Sequence, residues 1–451
     1  MSAKANTVVV VGGGLAGLAA AWILKEAGLP VMVLEKTDRP GGRCCGERVA
    51  GFSMERRLPL VATGDVPLLE WVEDLGLRDL CLPLRPVQQV HLYRGRNRPV
   101  RSGTLRALAR TPGFGWRDGL RIARLPRLMR RYRPLLDSAA PENAADLDFR
   151  SVGDFTRLYF GPRVLAQWVA PMLAEATGGS ADEASRVAFL LQLAKEQTSR
   201  FALFRSGLEE VARTASERLS MRYGFEVESI KPRRGGFDIA CSRSAGSTES
   251  LRASAVILAV PPMSARRLAE SCLSLPEQDA LVPFRYAPGA TLAVASSAVR
   301  TAVPQFVRVP ASEGSPIQSY LVEPGEQAGR APAGAGLVTL AAREDFLLSR
   351  GAVSDEVLAK DLLSALSAIA PEAVSAIRFS RLHRTSEAQP CMDVGTYRRL
   401  ARFQKVQNPL RAEGRRLYFA GDYLSGPRIN DAVASGQRAG RAVLEDVVVA
   451  G

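Results

Sequence analysis

Three glycines, Gly12, Gly14 and Gly17, stand in G-x-G-x-x-G spacing inside "VVVVGGGLAGLAAAWILKEAGLPVMVLEK", residues 8–36. An acid, Glu35, follows, with Lys36 beside it. This combination suits the phosphates and ribose of a dinucleotide. Gly12 permits a tight turn, Gly14 lets the backbone approach a pyrophosphate, and Gly17 allows close helix–strand packing. Leu15 and Ala16 open the next segment, where free N–H groups and the positive end of a helix dipole would meet the phosphates. A carboxylate at Glu35 can accept hydrogen bonds from a ribose hydroxyl.

Local segments must hold these residues together. Val8 to Val11 is a short apolar, β-branched run that predicts a buried strand. Leu15 to Ala27 consists of good helix formers, and Gly28 ends it. Val31 to Leu34 predicts a second strand, closed by Glu35. Glycine-rich turns are common, but strand, turn, helix, strand and terminal acid together specify a dinucleotide-binding unit.

The continuation "EKTDRPGGR" places Gly41, Gly42 and Arg43 just past the second strand. It resembles the flavoprotein family that includes monoamine oxidases, protoporphyrinogen oxidases and phytoene desaturases. The resemblance implies FAD, with the glycine pair and Arg43 near its diphosphate. Further stretches share it. "FRSGLEEVARTASERL", 204–219, looks like the family's glycine-turn-helix, and "LRASAVILAVPP" like its return strand. Between them, "GFEVESIKPRRGGFDIA" carries Val227, which corresponds to a residue holding the adenine through its backbone. Near the end, "RRLYFAGDYLSGPRINDAVASGQRAGRAVLEDV" has Gly421 and Asp422 closing a strand, with a helix expected from Ala432 to Val447. The resemblance implies Asp422 beside the ribityl–phosphate portion. It also implies Ile429 and Ala432 at a helix start facing the flavin's pyrimidine edge, where the dipole would stabilise reduced flavin.

The implied fold is α/β. A Rossmann-like, glutathione-reductase-like FAD-binding domain is expected to be discontinuous, assembled from 1–62, 205–262 and 392–451. A mixed sheet-plus-helix substrate-binding domain would take 63–204 and 263–391. Its first part carries helical patterns such as "VGDFTRLYFGPRVLAQWVAPMLAEAT". Its second alternates like sheet in "ATLAVASSAV" and "GLVTLAAR", and Ser354 is expected to cap a helix over "SDEVLAKDLLSALSAIAP". Residues 323–336, rich in Gly, Pro and Ala, read as a loop.

Catalytic side chains are sparse. Lysine-dependent amine oxidases of the resembled family place a lysine near the flavin; here Ala293 takes that position, and its strand has no lysine. Covalent tethering uses a cysteine beside an aromatic residue; here Thr396 and Tyr397 stand there, with Cys391 five residues away, so non-covalent FAD is expected. Tyr397 is a candidate wall of the flavin pocket, although an ordinary packed tyrosine fits the same signal. "AQPCMDVG" looks closer to the protoporphyrinogen oxidase pattern, yet "VHLYRGRNRPVRSG" lacks the arginine that holds a propionate in those enzymes. His383 reads as structural, and Asp431 as a cap of the last helix. No metal-ligand spacing and no nucleophile–base triad occurs. The expected activity is FAD-dependent dehydrogenation of an apolar, conjugated or polycyclic small molecule, with oxygen or a quinone as acceptor. A flavin amine or amino-acid oxidase, or a non-catalytic flavin-binding protein, are the alternatives.

Composition bounds the rest. The chain has 451 residues, 46% of them hydrophobic, and a net charge of +14. No run approaches a membrane-spanning length, and no leader pattern precedes the first strand, so a cytoplasmic location is expected. Thirteen arginines and one acid, Asp118, fall between Arg94 and Arg133. In "GLRIARLPRLMRRYRPLL", Leu125, Leu128, Met129, Tyr132, Leu135 and Leu136 recur at helical spacing. A basic amphipathic helix suggests contact between residues 94–136 and an anionic membrane surface, with Leu125, Leu128 and Leu136 inserting. No module for nucleic acid accompanies the charge.

Overall fold

In the computed structural model, the described residues are 7–448, except 83, 101–110, 199, 244–245, 298, 300 and 325–328. A five-stranded parallel sheet organises the cofactor side. Its order is Met221–Tyr223, Val31–Glu35, Val8–Val11, Ala255–Leu258, Leu417–Phe419. The all-valine strand follows from this position. Val8 and Val10 face one core with the first helix, Leu15–Glu26, while Val9 and Val11 face another. A strand covered on both faces is apolar at every position rather than at alternate ones. The second face meets an antiparallel sheet of Phe225–Arg233, Gly236–Arg243 and Thr248–Ala253.

The last helix, Ile429–Val448, packs along the first. Gly436 and Gly440 make this approach possible. A Cβ on Gly436 would lie 1.9 Å from the Ala16 carbonyl oxygen, and one on Gly440 2.9 Å from that of Ala20.

A seven-stranded mixed sheet forms the other half. Its order is Ile377–Pro390, Tyr286–Ser296, Gly336–Ala342, Ile317–Pro324, Gln305–Arg308, Gln88–Tyr93, Arg96–Pro99. The helix Asp355–Ile369 covers one face through Leu358, Leu362 and Leu366, and Ser354 caps it by accepting from Val357 N. Two details differ from the sequence expectations. Residues 323–324 complete a strand rather than opening the loop. Gln88–Tyr93 joins the sheet from a segment that read as mostly helical. Buried polar Gln89 and His91 blur its alternation.

The arginine tract also requires a correction, and its residues 101–110 lie outside the described ones. Two helices, Trp116–Ile122 and Leu125–Tyr132, form the described part. Leu125 and Met129 are buried, and Leu128, Tyr132, Leu135 and Leu136 pack partly buried against the same core. The leucine stripe therefore faces protein. Periodicity identifies a helix's apolar face but not what covers it.

Candidate active site

The three motif glycines divide into two roles. Gly12 has φ +107°, and a Cβ there would sit 2.5 Å from the Ala259 carbonyl oxygen. At Gly17 a Cβ would lie 2.0 Å from the Gly12 carbonyl oxygen. These two shape the turn. Gly14 has an ordinary φ of −72°, and a Cβ there would meet nothing within 4 Å. It faces open space at the start of a helix with no side-chain cap and no acid in its first turn. Leu15 and Ala16 supply the N–H groups of that start. The second glycine pair closes over it. Gly41 N donates to Gly13 O at 2.9 Å, and Gly42 packs on Gly14 Cα.

Glu35 is buried at the end of its strand. Its Oε2 accepts from Gly13 N at 2.7 Å, and its Oε1 from Thr37 N and Thr37 Oγ1 at 2.9 and 2.8 Å. A carboxylate has about four acceptor sites, so one remains for a ribose hydroxyl. Lys36 is exposed. Val227 comes from a strand tied to this edge by Gly224 N donating to Thr37 O, and a bulge between Val227 and Ser229 interrupts the ladder there. Open space at Gly14, an uncapped helix start and a free acceptor on Glu35 together fit a dinucleotide.

At the far end of the cradle, Gly421 and Asp422 follow the last parallel strand, and Gly421 N donates to Ser435 Oγ at 3.0 Å. Asp422 Oδ2 pairs with the Arg43 guanidinium at 2.8 Å, and its Oδ1 accepts from Tyr286 Oη at 2.6 Å. Burial, then the Asp422 charge, push the Tyr286 phenol well above its ordinary pKa, so it remains a donor. Arg43 also donates to Ala388 O. Sequence reasoning missed Tyr286, because no local pattern links it to a residue 136 positions away. The last helix begins at Ile429, three residues before the expected start, and Ala432 lies in its first turn. Asp431 explains the earlier start. Its Oδ2 accepts from Arg428 N at 3.3 Å, and its Oδ1 pairs with Lys195 Nζ at 2.5 Å.

One cavity of about 680 Å³ joins these motifs to the large sheet. Gly42, Arg43, Arg428 and Ile429 line it on the cofactor side, and Leu60, Leu173, Phe201 and Thr291 on the other. The volume suits a small organic molecule. His383 lines it too, although it read as structural; burial, then Arg56, hold its imidazole below the usual pKa. Ala293 is absent from the lining and packs with Phe52 and Met54. Tyr397 does not line the cavity either. It is 2% exposed, in the core with Met392, Leu400 and Phe403. Tyr397 thus takes the core packing that the sequence left open beside the pocket-wall reading.

Behind the cavity wall, Glu55 ends the strand Phe52–Glu55, and its Oε1 accepts from Leu208 N at 2.6 Å. Burial pushes its carboxyl up to about 7, against the pull of Arg330. Arg330 itself pairs with fully buried Glu323 at 2.6 Å. No group of His, Cys, Asp or Glu among the described residues could hold a metal ion.

Known proteins resemble this chain along its length. Coproporphyrinogen III oxidase of Propionibacterium freudenreichii subsp. freudenreichii is 30% identical over 194 residues, 41% of this chain and 34% of that one. The zeta-carotene-forming phytoene desaturase of Myxococcus xanthus is 35% identical over 175 residues, 37% of this chain and 31% of that one. The matched regions thus span about a third of those relatives. In fold, cyclohexylamine oxidase from Brevibacterium oxydans superposes with a TM-score of 0.74 at 17% identity, covering 99% of this chain and 100% of that one. Residues 15–444 match the family described as flavin containing amine oxidoreductase; the chain belongs to that family, and its cofactor is FAD.

Proposed function

We propose that the protein dehydrogenates an apolar, conjugated or polycyclic small molecule, in the manner of porphyrinogen oxidases and carotenoid desaturases. Bound FAD supplies a two-electron acceptor for a hydride. The chain supplies binding, orientation and exclusion of water. Leu58, Leu60, Leu173 and Phe201 offer apolar contact to the substrate. Oxygen or a quinone is the final electron acceptor in this reading. One observation carries it against amine oxidation: among the described residues, no lysine, tyrosine or tryptophan lines the cavity, and Phe201 is its one phenylalanine. FAD would be held non-covalently by Gly12, Gly14, Leu15, Ala16, Gly17, Glu35, Lys36, Gly42, Arg43, Val227, Gly421, Asp422, Ile429 and Ala432. The test is an anaerobic screen of the yellow protein against porphyrinogens, polyenes and amines. Bleaching by a polyene or porphyrinogen is expected. Bleaching by simple amines alone would favour an amine oxidase, and no bleaching by any compound a flavin-binding protein without turnover.

Contact with an anionic membrane surface is a second part of the proposal, moved to different residues. Trp116 and Leu120 are 72% and 64% exposed, one helical turn apart. Arg117, Arg121, Arg124, Arg127, Arg130, Arg131 and Arg133 are exposed on and after the same helix. An interfacial tryptophan and leucine among arginines suit a lipid headgroup layer. No helix among the described residues is long and apolar enough to cross a membrane.

A further inference from the structure

The charges lining the cavity do not cancel. Its five carboxylates all have arginine partners. Asp65 lies 3.8 Å from Arg428, and Glu175 holds Arg308 through two contacts of 2.5 and 2.9 Å. Glu183 and Glu344 share Arg285 at 3.3 and 3.6 Å, and Asp345 pairs with Arg343 at 3.1 Å. Of the remaining arginines in the lining, Arg43 is taken by Asp422 at 2.8 Å and Arg384 by Asp355 at 3.3 Å. Arg56 and Arg57 are left over. Both line the cavity, and neither forms an ion pair among the described residues.

Their placement is defined. They follow Glu55, whose bond to Leu208 N ties the base of this stretch to the cofactor side. Arg57 is half-buried and lines the cavity with Gly42 and Arg43, where its charge acts on the Cys44 thiol. Arg56 is exposed and shares the lining with His383, whose imidazole feels its charge. Leu58 and Leu60 follow at once and continue the wall with apolar surface. Two adjacent guanidiniums without a counter-charge, bordering an apolar cavity, complement a molecule with an anionic head and an apolar body. A guanidinium offers paired N–H donors in the plane that a carboxylate needs.

The geometry points to an amphipathic carboxylic acid as the substrate class, its carboxylate held by Arg56 and Arg57 and its body lying along Leu58, Leu60 and Phe201. This rests on the reading of the cavity as the substrate site. It does not depend on which reaction follows.

The test uses the FAD-bound protein and two probes of equal chain length, decanoate and decanol, titrated while the flavin absorption band is followed. Decanoate is expected to perturb the band and to bind at least tenfold more tightly than decanol. The Arg56→Gln/Arg57→Gln variant should lose that preference while keeping its flavin content, and Arg56→Lys/Arg57→Lys should retain part of it. Equal binding of the two probes would overturn the inference, as would a preference that survives in the glutamine variant. Loss of FAD from the glutamine variant would also overturn it, by assigning the arginines to the cofactor. No turnover is read here. A protein that prefers decanoate but is bleached by no compound keeps this site and loses the proposed reaction. One that oxidises polyenes without preferring decanoate keeps the reaction and loses the site.

Discussion

Tyr286 donates its phenolic hydrogen to Asp422 across 2.6 Å. The bond joins the first residue of a cavity-wall strand to the residue just beyond the parallel sheet's last strand. With Arg43 on the other carboxylate oxygen, it links three segments distant in sequence. Tyr286→Phe keeps the ring under the Arg43 guanidinium and removes only the donor. A hydrogen bond to a charged acceptor contributes about 1.5–3 kcal/mol, so the variant apoprotein should unfold at a clearly lower midpoint. An unchanged midpoint would show that Arg43 alone satisfies Asp422.

The glycine roles separate folding from cofactor binding. Gly14→Val should leave the far-ultraviolet circular dichroism spectrum intact and abolish FAD retention, since a side chain there meets only the open space of the cradle. Gly17→Val should instead yield little folded protein, because its Cβ would strike the Gly12 carbonyl oxygen. Purification of a yellow, folded Gly14→Val protein would refute the assignment of that space to the pyrophosphate.

This difference also marks how much was legible in the sequence. The first strand, turn and helix declare themselves because each depends on neighbours a few residues away. Gly436 and Gly440 gave only an i, i+4 spacing of small residues, and their partners, Ala16 and Ala20, lie at the other end of the chain. Tyr397 was placed from adjacency to a family motif, but adjacency does not fix which way a side chain points at a helix start. Tyr286 gave no signal. What matters for it is the tertiary meeting with Asp422, and a tyrosine opening a strand is common. The spacing of Leu125 and Leu128 defines an apolar stripe, but what covers the stripe is set by tertiary packing.

Glu55 should leave a mark on the pH dependence of stability. Its folded pKa, about 7, stands above its ordinary 4.5. A carboxyl raised on folding contributes stability that is complete below the unfolded value and is lost as pH rises through the folded one. The difference amounts to about 3 kcal/mol. Wild type should therefore lose stability relative to Glu55→Gln between pH 4.5 and 7. Unfolding midpoints of both proteins at several pH values in that window and above would show it, and parallel profiles would rule it out.

The flavin should come away without breaking a bond. Thr396 is buried and accepts from Arg399, and Cys391 lies against Gly178 with its thiol pushed up to about 12, chiefly by burial. A thiol held so firmly protonated is a poor nucleophile. Acid precipitation should leave all yellow colour in the supernatant. Colour in the washed pellet would mean a covalent link.

The exposed Trp116 and Leu120 give the membrane proposal a sharper test than the leucine stripe could. Leu125 and Met129 are committed to the core, so substituting them would damage folding and say nothing about lipid. Trp116 and Leu120 point outward, and changing both to alanine should leave the core intact. Each basic residue near an anionic surface contributes about 1 kcal/mol, so several of the exposed arginines acting together could hold the protein there at low salt. The apolar pair would add a part that salt does not screen. Wild type should therefore co-sediment with vesicles containing phosphatidylserine and be released only partly by salt. Trp116→Ala/Leu120→Ala should be released completely, and changing Arg124, Arg127, Arg130 and Arg131 to glutamine should weaken binding at low salt. Asp118 provides a control, since its carboxylate is turned inward to Gly115 N and Arg163 and should matter little to lipid. Equal sedimentation of all these proteins at low salt would mean that the arginines are solvated and the two apolar side chains only incidentally exposed.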